Sequence, residues 1–156
     1  MLPAEAAPSL TEIDAAARAK GNAREDAVAI ARALLARKWA SQVVEVRVDR
    51  VDAHRVAGVT LLGVKFKRRV DAPQFLKEAN ELVDIALNAD HAVEEVDLRA
   101  TIPAKRNHVG EFDQPLDETV FTLTVRRDAP GLRTAYWDPG WRAQLGASSA
   151  EPANVR

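Results

Sequence analysis

A helical stripe lies in the middle of this chain, between two stretches in which apolar and polar residues alternate. Phe75, Leu76, Ala79, Leu82, Val83, Ala86 and Leu87 recur at steps of one, three and four, with Lys77, Glu78, Asn80, Glu81 and Asp84 between them. Such steps put the apolar set on one side of an α-helix and the polar set on the other. Asp71 precedes it, with Pro73 in the first turn and Gln74 at capping-box distance. The far end is less well marked: no Gly closes it, and Asp84 and Asp90 lie at the negative end of the dipole. Before the helix, Leu62, Val64 and Phe66 alternate with Gly63, Lys65 and Lys67. After it, Val96, Leu98, Ala100 and Ile102 alternate with Glu95, Asp97, Arg99 and Thr101. A period of two predicts strands with one buried face each, and the helix buries its stripe on that face.

The same reading extends in both directions. Ser9 and Glu12 have capping-box spacing, and Gly21-Asn22 is a stop signal, so a short helix is expected at about 10–20 with Leu10, Ile13 and Ala17 as a thin apolar edge. Asn22 and Glu25 repeat the box and open a helix to about Trp39, with Ala27, Ala31, Leu34 and Leu35 on its inner face. Val44, Val46 and Val48 alternate with Glu45, Arg47 and Asp49 as a first strand, and Asp52 to Gly58 reads as a hairpin loop. Pro103 to Asp117 reads as a long loop carrying His108 and Phe112, followed by a strand with Phe121, Leu123 and Val125 inward. From Asp128 onward Pro130-Gly131 and Pro139-Gly140 interrupt the pattern, and an irregular tail is expected.

The expected fold class is α+β, a two-layer sandwich in the order α-β-β-α-β-β. Two helices lie on one face of a four-stranded, mostly antiparallel sheet, with a short N-terminal helix and an irregular C-terminal tail besides. The expected division is 1–21 as linker and short helix, 22–127 as the domain, and 128–156 as an aromatic-containing tail with a loose end.

Composition narrows the function classes. The chain has 156 residues, 47% hydrophobic and 29% charged, with a net charge of −1. That length suits one domain with a core of its own. The charge balance argues against bulk attraction to nucleic acid or an anionic membrane, leaving only local patches. There is no cysteine, which removes disulfides, thiolate metal sites and a cysteine nucleophile. No apolar run approaches the roughly 18–20 residues of a membrane span. No signal peptide is visible in Leu2 to Ser9. The expected setting is periplasmic or secreted if a signal was removed, and cytoplasmic otherwise.

Three features are candidate sites. The outward strand residues Glu45, Arg47, Asp49, Lys65, Lys67, Glu95, Asp97, Arg99, Thr122, Thr124 and Arg126 mix acids and bases. They form either a solvated face with cross-strand ion pairs or a polar docking surface, and they lack the aromatics on which RNA-binding sheets stack bases. The run Lys65, Lys67, Arg68 and Arg69, with Arg126, is the candidate for an anionic ligand, a phospholipid headgroup or a nucleic acid. Tyr136, Trp137 and Trp141 hold two of the three Trp and the only Tyr; such rings either fold back on the domain or anchor a partner. Asp90, His91, Glu94 and Glu95 match no closed metal-ligand set, and His54 and His108 stand alone in loops. No nucleophile elbow, zinc-protease motif, phosphate-binding Gly loop or dinucleotide fingerprint occurs, so no catalytic residue and no cofactor are assigned.

From about Ala27 to Ile102 the chain resembles BON domains and related ring-building modules of cell-envelope complexes. The residues that carry this are Val59-Thr60-Leu61-Leu62-Gly63-Val64, Ala79 and Ala86 in the helix, and Val93-Glu94-Glu95-Val96 leading into Asp97-Leu98. The resemblance implies an α-β-β-α-β unit, no catalysis, and a role in envelope binding or assembly. The chain departs from that pattern with Ala92 where a Gly often stands, a longer hairpin loop, a fourth strand and the aromatic tail. The function expected is therefore a non-enzymatic binding or assembly module of a bacterial envelope or larger complex, with a protein partner or a second copy. The alternatives are a nucleic-acid-associated protein using the basic strand 65–69 and an enzyme with its site in loop 103–117.

Overall fold

The computed structural model describes residues 9–63, 66–103 and 117–146. In chain order the elements are α1 (Leu10–Arg18), β1 (Ala19–Lys20), α2 (Arg24–Leu35), β2 (Gln42–Val51), β3 (His54–Leu62), α3 (Ala72–Ala89), β4 (Glu95–Pro103), β5 (Asp117–Arg126), β6 (Ala129–Trp137) and α4 (Pro139–Leu145). All six strands lie side by side in chain order in one sheet. β1 is parallel to β2 and β3 to β4, and the remaining neighbours are antiparallel. The expected four-stranded, mostly antiparallel sheet with two helices is corrected: the described residues form a six-stranded mixed sheet with four helices. The two parallel steps fall where a helix separates the strands, because a crossover returns the chain in its original direction whereas a hairpin reverses it.

α3 follows the sequence pattern closely. Both halves of its capping box are present: the Gln74 amide donates to Asp71 Oδ1 at 2.9 Å, and the Asp71 amide donates to Gln74 Oε1 at 3.2 Å. Phe75, Ala79, Leu82, Val83, Ala86 and Leu87 are buried, facing Val96, Leu98, Leu123 and Val125 of the sheet and Ile30 and Leu34 of α2 in one core. Its C-terminal end, which has no Gly, is closed by Arg127 from the β5–β6 turn. That guanidinium donates to the carbonyls of Leu87, Asp90 and Val93 at 2.7, 2.9 and 2.8 Å, a cation at the negative end of the dipole.

Glu78 departs from the helical pattern. It was expected on the polar side and is 7% exposed. Its carboxylate accepts the amides of Ala40 and Ser41 at 3.0 and 2.8 Å and pins the α2–β2 connection to α3. Arg68 reaches the same carboxylate at 3.3 Å.

Four local expectations are corrected. β3 begins at His54 and turns Ala57, Val59 and Leu61 inward, so the alternation read through Leu62 and Phe66 is one residue out of phase. In β2 a bulge at Val43 and Glu45 buries Val43 and exposes Val44. α2 stops at Leu35, and the indole of Trp39 folds back to donate to the Leu34 carbonyl at 2.7 Å. Asn22 does not cap α2, whose N-cap is Ala23 with no side-chain bond. The Asn22 amide group pairs instead with the β2 backbone, accepting from the Arg50 amide at 2.6 Å and donating to the Arg50 carbonyl at 3.1 Å. Gly21 makes that approach feasible, with φ at 97° and room for no Cβ: one would stand 2.2 Å from the Val48 carbonyl oxygen. α1 is capped by Ser9 as expected, but its apolar edge is not buried, with Leu10 81% exposed.

The expected irregular tail is likewise corrected. β6 pairs with β5 from Phe121↔Trp137 to Val125↔Arg133, and Asp138 caps α4 by accepting the Trp141 amide at 2.9 Å. The driving contact is aromatic. Phe75 meets Phe121, Trp137 and Trp141 edge-on at centroid distances of 4.9, 5.8 and 5.1 Å, and the two indoles stack at 6.0 Å.

Candidate functional site

With the helices on one face, the other face of the sheet carries only side chains among the described residues. Glu45, Arg47 and Asp49 of β2, Gly58 and Thr60 of β3, Glu95, Asp97 and Arg99 of β4, and Thr122 and Thr124 of β5 line a shallow depression of about 570 Å³. Gly58 makes its floor. It pairs with Arg47 on one side and Asp97 on the other, and a Cβ there would meet nothing closer than 3.9 Å.

The arginines on this face have partners in place. The Arg47 guanidinium lies 2.8 Å from Asp49, Arg99 donates to the Thr60 hydroxyl at 3.2 Å, and Arg126 lies 3.2 Å from Asp128. Donation from the Asn22 amide, then from Arg47, holds Asp49 below the usual carboxylate range. Arg126 does the same for Asp128, chiefly through their hydrogen bond, and its own guanidinium is raised in return. Glu95 is shifted the other way: burial first, then the hydrogen bond and charge of Asp97, raise it against the pull of Arg126. Asp97 Oδ1 beside it is buried. The arrangement offers paired charges and hydroxyls spread over four strands, which suits a polar contact surface. Among the described residues no three His, Cys, Asp or Glu side chains converge as metal ligands.

The two edges of the sheet differ. The β2 side is sealed by the chain itself. β1 covers Val46 and Arg47, the Ala23 amide donates to the Val48 carbonyl at 3.0 Å, Arg18 donates to the Val43 carbonyl at 2.9 Å, and Asn22 occupies both backbone groups of Arg50. The β6 side has no further strand among the described residues. The Asp138 amide donates to the Val120 carbonyl at 2.8 Å, and alternation along an antiparallel pair then directs the backbone groups of Tyr136 and Thr134 toward β5. Those of Arg133, Ala135 and Trp137 point outward. On the open face β6 presents Tyr136, paired with Thr122 and 52% exposed, and just outside the regular pairing, where the register shifts between Arg133 and Ala129, stands Leu132, 77% exposed.

The site residues expected from sequence are distributed unevenly. Tyr136 lies on the rim of the open face. Trp137 packs against the core, and Trp141 is 4% exposed with its indole N–H donating to the Gly63 carbonyl at 3.0 Å. Lys65 lies outside the described residues, as do Val64, His108, Phe112 and the rest of loop 104–116, in which the alternative enzyme site is expected. Lys67, Arg68 and Arg69 follow the end of β3, beyond the pairing of Leu62 with Thr101. Arg126 is at the other end of the sheet, where it pairs with Glu95 and thereby Val56, roughly 20 Å away at 3.3 Å per residue. The structure therefore does not bring Arg126 to the basic run. Of the possible metal ligands, Glu94 pairs with the His54 ring, and Asp90 lies against Asp26, whose carboxyl is raised by burial and by Asp90.

Sequence reasoning missed the β6 edge and the Arg133 contact that holds it. Arg133 donates to Asn80 at 2.8 Å and to Asp84 at 2.5 Å on α3. The available signal was the uncharged run Thr134-Ala135-Tyr136-Trp137. No helix among the described residues is long and apolar enough to cross a membrane. Compared with family models, curated proteins and solved structures, the chain finds no match.

Proposed function

We propose that this chain is a non-enzymatic protein-binding or assembly module, working within a bacterial envelope or another large complex, whose contact surface is the β6 edge and the polar sheet face beside it. The observation that carries the reading is the difference between the two edges. An uncovered edge strand templates pairing with another chain, and proteins that avoid this blunt both edges. Here β2 is sealed at Val43, Val46, Val48 and Arg50, while β6 has, among the described residues, no strand on its outward backbone groups and carries two exposed apolar side chains. The envelope setting rests on the resemblance to BON domains. The order α2-β2-β3-α3-β4 supports it, being the α-β-β-α-β order which that resemblance implies.

A photoreactive phenylalanine analogue placed at Tyr136 in the producing cell tests the reading. An adduct with a protein, whether another protein or this one, is expected, with none from the same analogue at Leu10 on α1. Adducts from Leu10 alone, or from neither position, would remove the β6 face as the contact surface.

A further inference from the structure

We infer that the partner at the β6 edge is a second copy of this chain, the two β6 strands pairing antiparallel about a two-fold axis through Thr134 so that the sheets join into one. This rests on the assembly reading above and names its occupant.

The register follows from the side chains. With the axis at Thr134, Arg133 faces Ala135 of the partner subunit. Both residues point their backbone groups outward, so they exchange N–H···O bonds. Leu132 falls opposite Tyr136 of the partner subunit, and this happens twice about the axis. The two exposed apolar residues of the strand therefore cover each other on the open face. The neighbouring registers are worse. An axis through Arg133 sets guanidinium against guanidinium. An axis through Ala135 places Leu132 against Asp138 of the partner subunit and leaves Tyr136 over Thr134 of the partner subunit.

Charge placement points the same way. The one charged residue in the stretch from Leu132 to Trp137 is Arg133, and its guanidinium is turned to the helix side and held by Asn80 and Asp84. The edge thus lacks the outward lysine or arginine that guards exposed strands. Pro130 sits at the start of the strand, clear of the paired residues.

The chain has no cysteine, so single-cysteine variants of the full chain report the register directly. Across a non-hydrogen-bonded antiparallel pair the Cα atoms lie about 4.5 Å apart, inside the range a disulfide spans. Under mild oxidation Thr134→Cys is expected to give a disulfide-linked dimer about tenfold faster than Thr124→Cys on β5 or Lys20→Cys on β1, since the axis holds its two thiols at a raised effective concentration. Ala135→Pro removes an outward amide and none that faces β5. It should melt as cooperatively as the parent chain yet sediment as a monomer at concentrations where the parent is dimeric.

A parent chain that stays monomeric at every concentration, or Thr134→Cys crosslinking no faster than Thr124→Cys, overturns the inference. If the Tyr136 photoadduct then contains a different protein, the assembly reading survives without the second copy. If there is no adduct either, both fall.

Discussion

Trp141→Ala measures how far the C-terminal segment belongs to the fold. The indole is buried against Phe75 at 5.1 Å and Trp137 at 6.0 Å, and it donates to the Gly63 carbonyl at 3.0 Å. Truncating a buried Trp to Ala costs about 3–5 kcal/mol through lost transfer energy and the cavity left behind. The lost hydrogen bond adds about 1 kcal/mol. The site opens on one side to a hollow lined by Phe66, Arg69 and Gln144, so water can enter and neighbours can relax, which favours the lower half of the range. We expect a loss of about 4–5 kcal/mol from a total that for such domains is about 5–15. Trp141→Phe keeps most of the packing and loses the N–H, and should cost about 1–2 kcal/mol, mainly the unsatisfied Gly63 carbonyl. Urea unfolding followed by far-ultraviolet circular dichroism gives both values, with unchanged slopes showing that the transition stays two-state. Values for both variants within about 0.5 kcal/mol of the parent, the range for inert surface changes, would refute the packing of α4 on the sheet.

Three further outcomes follow from the structure. Glu78→Ala leaves the Ala40 and Ser41 amides buried without an acceptor and should cost about 2–4 kcal/mol by urea titration, at about 1–3 kcal/mol or less per orphaned group. Asp26 is raised above its usual 3.8 by burial and then by Asp90, with Arg55 opposing, so the folded state keeps that proton to higher pH than the unfolded chain does. Its contribution is therefore most favourable below 3.8 and is lost as pH rises through the raised value, and Asp26→Asn should flatten that limb of a stability–pH curve measured by thermal melting. Gly21→Ala drives a Cβ to 2.2 Å from the Val48 carbonyl oxygen at a φ of 97° and should cost about 3 kcal/mol or more, whereas Gly58→Ala, with its nearest neighbours at 3.9 Å, should stay within about 1 kcal/mol in the same melts.

The parts legible in the sequence are those where one physical rule acts alone. α3 has a full capping box and an unbroken stripe, and both appear as read. The inward sets of β4 and β5 hold for Val96, Leu98 and Ala100 and for Phe121, Leu123 and Val125. Much of the polar face was legible for the same reason, since alternation fixes both sides of a strand at once. The failures lie where a long-range partner overrides a local signal. Asn22 carries a capping signature, but the bare edge of β2 takes its amide group. Glu78 belongs to the polar set by spacing, but two unpaired amides in the α2–β2 turn bury it. Pro130-Gly131 reads as a break. On an edge strand a proline costs no ladder bond at its outer side, and the Trp137 contact with Phe121 at 4.7 Å holds the segment in the sheet. The parallel β1 is two residues long, too short for any period to register. In β2 and β5, bulges at Val44 and Val120 shift the phase midway, which no count of alternating residues reveals.

Amide hydrogen exchange along β6, read residue by residue by nuclear magnetic resonance at low and high protein concentration, tests the central claim most directly. That claim is that β6 is a paired edge strand whose free side receives another chain. Thr134 and Tyr136, which face β5, should exchange slowly at both concentrations. Arg133, Ala135 and Trp137 should exchange quickly in the dilute protein and slow down as the chain associates. Uniformly fast exchange across β6 would contradict the strand itself. Fast exchange at Arg133, Ala135 and Trp137 in a protein already shown to have associated would contradict the use of that edge.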